Sequence, residues 1–562
     1  MSRGHPKWVG FIPVAVVLAA GIVLVTAQAP GQGAMAPRFP IVRDWSHRYL
    51  AYGNASFRAA TLSQLQRDPR LAAAWVQRNV IGALASASAP GRQPWRRNSL
   101  TLKRDWAVSL GNVDTSTPVP KEHFPAMWGA SFTNPDCAND FVVFGIRAGQ
   151  ATGQANIVAF NNLYLYTTCS APVPQTMWAY YVGGGGSDPD QVRTSPVLSL
   201  DGKEVAFVED RDKGSGGAYF HVLKWVAGQG TIGSPATPGS GGSSVRSVKY
   251  SDSGNLRSSP FVDYWNNVAF VGADDGKLYA IGPVFNATSN PAVLGFVEVG
   301  SVGAHLTSPV MDPNENRIFI SDGSSLHSYL VSYGTNSVTF SDPKTYLISG
   351  DAEAIQDAAL VDVDRRRVFW FARKTFLTAL AIETDYSFTS TATKTASIGQ
   401  SSETTIRAGA FDDDHYSGKG GQLHVCGKAS DSDQPRLYTF GFFQSGNEWV
   451  WNNSTYYVNT IATTAGECSP LTTFKSDKDR LFLGFEGGVI QMWELPVTSS
   501  ADRADQSASG YNGGSAGIIV DNRSSTAEAN NIYFQTVLAS SACAENGTNK
   551  VCAVKLTQSG LQ

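Results

Sequence analysis

The densest group of chemistry-bearing side chains in this 562-residue chain is FDDDHY, residues 411–416. Asp412, Asp413 and Asp414 supply the hard oxygens that calcium takes, with His415 beside them, so the group is a candidate binding loop. Its spacing is not that of a known calcium loop, and a solvated turn between strands is the reading that competes. A second group is Asp44, Ser46 and His47 in DWSHRY, which holds the residue types of a nucleophilic triad. Triad members meet in space from separate parts of a chain. Three of them within four residues fit helix capping or docking better. The six cysteines include no CxxC pair and the histidines are scattered, which argues against zinc. No residue is singled out as catalytic, metal-binding or cofactor-binding.

Charge narrows the partners. Lys plus Arg number 44 and Asp plus Glu 47, so no broad field points to nucleic acid or to an acidic membrane. The opening MSRGHPKWVGFIPVAVVLAAGIVLVTAQA has two cations, an apolar run from Trp8 to Val25 and then small residues, the layout of an export signal. The run is about 17 to 18 residues, so an uncleaved amino-terminal anchor is the alternative. Either way the chain is expected outside the cytoplasm, in the periplasm or beyond the cell, where six cysteines would pair.

The elements that must position any site repeat. VAFVGADDGKLYAI, 268–281, is a strand, an acidic glycine turn and a second strand, and variants return at intervals of about 47 to 65 residues. Copies begin at Gly129, Thr194, Ser258, Thr307, Asp357, Ala408, Cys468 and Ser515. In each, a short strand follows Ser-Pro or Ala, then come a polar turn, a β-branched and aromatic strand, a Gly or Asp turn and another strand. A fourth strand falls in the spacers, at 177–183, 293–300 and 449–458. The grammar predicts an all-β, eight-bladed β-propeller of four-stranded antiparallel blades, with seven blades if the first copy is misread. A β-sandwich pair or a solenoid shares the alternation of strands and turns. The last copy stops after its third strand, and RDWAVSLG, 104–111, is expected to supply the fourth and latch the ring.

Blades place the cysteines. Cys137 and Cys169 bracket two strands that would be neighbours, Cys543 and Cys552 flank an insertion in the last blade, and Cys426 and Cys468 would link adjacent blades.

Before the ring, residues 1–27 form the signal or anchor, and 28–100 a helical segment and linker ahead of the propeller at 101–562. A helix is predicted over 55–66. Another starts at Pro69 with Asp68 as N-cap and runs to about Leu84, with Ala72, Trp75, Val76, Val80 and Leu84 on the face that docks. Arg92, Arg96 and Arg97 are a linker cluster that would either stay solvated or touch acidic lipid or glycan. Asn286, Asn453 and Asn546 are sequons that matter only in a glycosylating host.

SSPFVDYWNNVAFVGADDGKLYAI resembles the repeats of PQQ-like propellers, which include quinoprotein dehydrogenases and outer-membrane assembly scaffold lipoproteins. The resemblance spans roughly 104–556. A quinoprotein enzyme of that group is expected to bring a Cys-Cys dipeptide, and none occurs here, so the resemblance implies blades and no cofactor. DWSHRY, RDPR at 67–70, and the pairing of LHVCG with ECSPLT are similar to features of secreted bacterial propeller proteins, a resemblance that implies no activity. The function expected is an exported, non-catalytic binding or scaffold module, meeting a protein or glycan through loops on one ring face. The alternatives are a funnel-site enzyme, such as a degenerate quinoprotein oxidoreductase or a glycan-active hydrolase or lyase, and a surface adhesin.

Overall fold

A computed structural model describes residues 40–77 and 102–558, apart from short stretches within 113–118, 132–134, 148–152, 165–171, 185–189, 212–214, 349–353, 376–377, 401–404, 447, 476–478, 508–509 and 523–529. The repeats are blades. Eight sheets follow one another along the chain, each with four blade strands. Blade III has strands Phe261–Asp263, Val268–Gly272, Lys277–Gly282 and Ala292–Glu298, so the phrase at 268–281 is its two middle strands. The first strand of each blade is the innermost. In blades II to VI it has three residues or fewer, all of them buried.

The Ser-Pro signal has a physical reason. Phe124 N–H donates to Ser195 Oγ at 2.9 Å, Ser195 N–H to Ser259 Oγ at 2.9 Å, and Ser259 N–H to Ser308 Oγ at 2.8 Å. Each serine hydroxyl thus satisfies a buried backbone donor of the preceding blade, where an aliphatic side chain would strand it. The residue before it works within its own blade: Ser258 Oγ accepts from Gly272 N–H at 2.7 Å, and Thr307 Oγ1 from Ser321 N–H at 3.0 Å.

Blade VIII combines Ile519–Asn522, Asn530–Gln535 and Cys552–Gln558 with Leu102–Ser109 from the beginning of the ring. The latch pairs antiparallel, from Leu102 opposite Gln558 to Ser109 opposite Cys552. Trp106 packs against Phe160 of blade I and Tyr533 of blade VIII, with centroids 6.2 and 6.0 Å away. Lys555, 0% exposed, pairs with Asp105 at 2.9 Å and donates to Leu163 O at 2.7 Å.

The cysteines pair as read, 137 with 169, 426 with 468 and 543 with 552, at Cα separations of 5.6, 6.3 and 5.8 Å. Chain-entropy arithmetic gives about 4 kcal/mol for closing the 42-residue loop between Cys426 and Cys468, and about 2.6 kcal/mol for the nine-residue one. The double variant Cys426→Ser, Cys468→Ser is therefore expected to unfold at lower denaturant than Cys543→Ser, Cys552→Ser, which a paired urea titration checks.

The segment before the ring is partly helical and partly strand. β1 (Ile41–Arg43) and β2 (Leu50–Ala51) join blades, as described below. The single helix expected over 55–66 is two, α1 (Asn54–Ala59) and α2 (Leu62–Arg67). Ala60 is extended at φ −64°, ψ 123°, and Thr61 restarts the helix through a capping box with Gln64. α3 (Pro69–Val76) starts as read, with the Asp68 carboxylate accepting from Arg70 N–H at 3.0 Å. Ala72 and Val76 are buried as the docking face requires, but Pro69, Arg70, Leu71 and Ala73 are buried too, so α3 is covered on most sides. Val80, Leu84 and the cluster Arg92, Arg96 and Arg97 lie outside the described residues. Among the described residues no helix is long and apolar enough to cross a membrane.

Candidate functional site

The propeller axis, where a funnel site would sit, is filled by the chain itself. β1 adds to the inner strand of blade I, antiparallel, with Ile41 opposite Gly129 and Arg43 opposite Met127. β2 adds to the inner strand of blade V, parallel, with Leu50 opposite Val361 and Ala51 opposite Asp362. Blades I and V are four apart in a ring of eight, so residues 41–51 cross the axis.

A 3₁₀ turn, Trp45–Arg48, makes the crossing. Asp44 caps it, accepting from Ser46 N–H at 2.9 Å and lying 3.3 Å from His47 Nδ1, so the three triad-like residues do capping work. Burial pushes the Asp44 pKa up, but His47, Arg70 and Ser46 outweigh that and hold it below the usual carboxylate value. Trp45 donates from Nε1 to Pro260 O of blade III at 3.0 Å and meets Tyr49 and Phe261 edge-on. Tyr49 Oη donates to Asp357 Oδ1 at 2.5 Å, while Asp357 Oδ2 accepts from Ala408 N–H at 2.7 Å. Arg43 Nη1 reaches Val520 O at 2.6 Å and Arg48 Nη2 reaches Gly409 O at 2.7 Å. The plug is thereby bonded to blades I, III, V, VI and VIII.

One face carries the turns between first and second strands, and α1 to α3 lie on it. Ala55 N–H donates to Asp364 Oδ2, Asn54 Nδ2 to Ser417 O and Arg70 Nη2 to Val262 O, at 2.7, 2.6 and 2.9 Å. Because β1 runs against its inner strand and β2 runs with its own, the plug enters from this helical face and returns to it.

Near the opposite mouth, charged groups converge. Arg407 Nε is 2.8 Å from Glu122 Oε1 and its Nη1 is 3.6 Å from Glu467 Oε2. Lys121 Nζ is 3.3 Å from Glu467 and 2.9 Å from Glu486. Burial alone would raise Glu467, but Arg407, Lys121 and the Thr405 N–H hold it down to about 2. Burial and then Asp357 raise Glu122, with Arg407 opposing. Arg407 and Lys121 are each shared between two carboxylates, so two cations meet three carboxylates and the pairs tie blade boundaries together.

The helical face holds a cleft of about 420 Å³ between α1 to α3 and blades III and IV. This is within the range of small-ligand sites. Tyr52, Asp68, Arg70 and Leu71 form one wall; Asp263, Tyr264, Trp265, Met311 and Tyr333 form the other. Trp265 is 52% exposed, with the Arg67 guanidinium 4.4 Å from its ring centroid. None of these residues stands out in sequence, because the cleft joins segments near 52–71, 263–266 and 311–333.

FDDDHY is not a solvated turn. Asp412 is 4% exposed and caps the short α4 (Asp413–Tyr416), accepting from His415 N–H at 3.0 Å. His415 is 1% exposed, stacked on Phe411 with centroids 3.9 Å apart, with Nε2 2.8 Å from Asp362 Oδ2. The hydrophobic Phe411, followed by a cap that returns His415 onto it, buries what the sequence suggested would be wet. Asp413 and Asp414 stay at the rim. Among the described residues no group of three or more His, Cys, Asp or Glu side chains is arranged to hold a metal ion.

This corner should be sensitive to pH. Burial, reinforced by neighbouring aspartates, pushes Asp412 up to about 7 and Asp479 up to about 8. A carboxyl whose folded pKa is raised binds its proton more tightly when folded, so stability falls as pH rises from about 4 through about 8. The melting temperature is expected to drop between about pH 5.5 and about pH 8.5. Asp479→Asn should recover about 1–3 °C more at the upper end than at the lower. Scanning fluorimetry at the two pH values checks this, and an equal shift at both would refute it.

No protein-family model and no curated protein matches the chain. Among solved structures, Sqt1 from Chaetomium thermophilum aligns at 12% identity and a TM-score of 0.46, over 81% of this chain and 99% of that one. Sqt1 from Saccharomyces cerevisiae aligns at 9% identity and a TM-score of 0.42, over 81% and 98%. A prolyl endopeptidase structure aligns at 13% identity and a TM-score of 0.33, over 76% of this chain and 54% of that one.

Proposed function

We propose that this eight-bladed propeller is an exported, non-catalytic binding module of the periplasm or extracellular space. Its helical face would engage a protein or glycan partner. The observation that carries the reading is the filled axis: residues 41–52 occupy the place of a funnel site, and a cleft of about 420 Å³ lies on the face that the same segment builds. Three disulfides support an oxidising compartment. The apolar run 8–25 supports export, and where it stays uncleaved it would anchor the chain to a membrane. Kinship with the PQQ-like repeats belongs to this proposal and implies no bound quinone.

The test is retention of the purified chain on isolated cell-envelope material. Asn314→Arg, which places a long cation at the cleft rim, is expected to cut retention at least about fivefold. Asp275→Arg, in a turn on the opposite face, should leave it intact. Equal retention by both variants would sink the reading.

The funnel-enzyme alternative is favoured by one observation, the Glu122, Arg407 and Glu467 convergence. In its quinoprotein form it requires a rise in melting temperature on adding pyrroloquinoline quinone with calcium. We expect no rise.

A further inference from the structure

Three of the four charges lining the helical-face cleft, Asp68, Arg70 and Asp263, are already committed, and the fourth, the exposed Arg67, lies over the Trp265 ring. Asp68 accepts from Arg70 Nε at 3.0 Å and from Tyr52 Oη at 2.9 Å. Arg70 lies 4.2 Å from the Phe261 ring centroid, and its Nη2 donates to Val262 O. Asp263 accepts from Tyr333 Oη and Asn266 Nδ2, both at 2.6 Å, and from Trp265 N–H at 2.9 Å. A ligand with a formal charge would have to draw Asp68, Arg70 or Asp263 from a partner it already has, at a desolvation cost, or take the Arg67 guanidinium that lies over Trp265.

The other uncommitted groups are neutral. The side-chain amides of Asn314 and Asn316 have no partner among the described residues, both residues are exposed, and both line the cleft. Each amide offers donors and an acceptor. Trp265, half-exposed beside them, offers a flat apolar surface. Aliphatic lining is limited to a few residues such as Leu71 and Met311, too little for a lipid tail. The walls are mostly helix and strand-to-strand turn, with only the short inner strands Phe261–Asp263 and Val310–Asp312 beside them, so an extended peptide would find little strand edge to pair with.

Adjacent hydroxyls on a ring with an apolar C–H face satisfy this combination. We infer that the cleft binds a neutral saccharide segment, with Trp265 as the stacking platform and Asn314 and Asn316 as the hydroxyl readers. The inference rests on the proposed role of the helical face as a binding surface and goes further by naming the ligand class.

The test is isothermal titration of the full chain with cellotetraose, xylotetraose and chitotetraose as neutral probes, tetragalacturonate as the acidic probe, and a mixed pool of unstructured peptides. At least one neutral probe is expected to bind with a Kd of about 10 µM to 1 mM. Trp265→Ala should weaken it by about tenfold or more, Trp265→Phe should retain most of it, and the pair Asn314→Ala, Asn316→Ala should weaken it without lowering the melting temperature. Trp265-dependent binding of only the acidic probe would overturn the neutral assignment, binding of only peptide would overturn the saccharide assignment, and either would leave the face as a binding surface. No binding by any probe, with envelope retention still abolished by Asn314→Arg, has the same meaning. No binding by any probe, together with retention indifferent to Asn314→Arg, would overturn both.

Discussion

Trp45→Ala is expected to destabilise the whole ring by about 3–5 kcal/mol, the cost of truncating a large buried aromatic. Trp45 is 2% exposed, and its contacts lie on the axis, against Tyr49, Phe261 and the Pro260 carbonyl. The substitution leaves an acceptor without its donor and a void where several blades meet, and neither neighbouring inner strand can move in to fill it. Equilibrium denaturation of Trp45→Ala beside Trp265→Ala gives the measurement. The axial variant should lose several kcal/mol and the half-exposed one less than about 1 kcal/mol. Equal losses would show that the axis contributes no more than a surface position.

The second large effect is at the latch. Removing residues 102–109 takes the outer strand from blade VIII and exposes the edge of Cys552–Gln558. It also strips Asp105 from Lys555, which is fully buried, and Trp106 from the boundary between blades VIII and I. A buried cation deprived of its partner costs about 3–5 kcal/mol by itself. Asp105→Ala alone should therefore lose about that much, and the strand deletion should abolish cooperative unfolding. Lys555→Met in the Asp105→Ala background is expected to restore part of the loss, because it removes the orphaned charge. Absence of rescue would place the loss in packing instead.

The blades were legible because they repeat: a strand, turn and strand phrase recurring eight times carries its own control, and the Ser-Pro signal marks a hydroxyl that blades II to IV place at their boundaries. The cysteines followed from strand order. The axial plug was not legible for the opposite reason. β1 is three residues and β2 is two, too short for a periodic pattern. Their partners are about 90 and 310 positions away, in strands that already look complete. DWSHRY was correctly read as capping, yet nothing in it announces that the capped turn crosses a channel. The break between α1 and α2 was present in Thr61 and Gln64, spaced as a capping box. FDDDHY misled because acidity suggests solvent, while burial of His415 is decided by Phe411, Phe442 and Asp362, the last two contributed by another strand and another blade. The cleft could not be read at all, since its walls come from three regions that meet only in the closed ring.

The central claim is that the propeller's own amino-terminal segment occupies its axis and leaves the helical face as the place for a ligand. Hydrogen exchange of the backbone amides in 41–51, followed by mass spectrometry on the full chain, tests it most directly. The filled axis predicts protection comparable to that of the inner strands at 126–129 and 360–362, lost only with global unfolding. Exchange of 41–51 within seconds while those inner strands stay protected would mean an open channel, and the account would be contradicted.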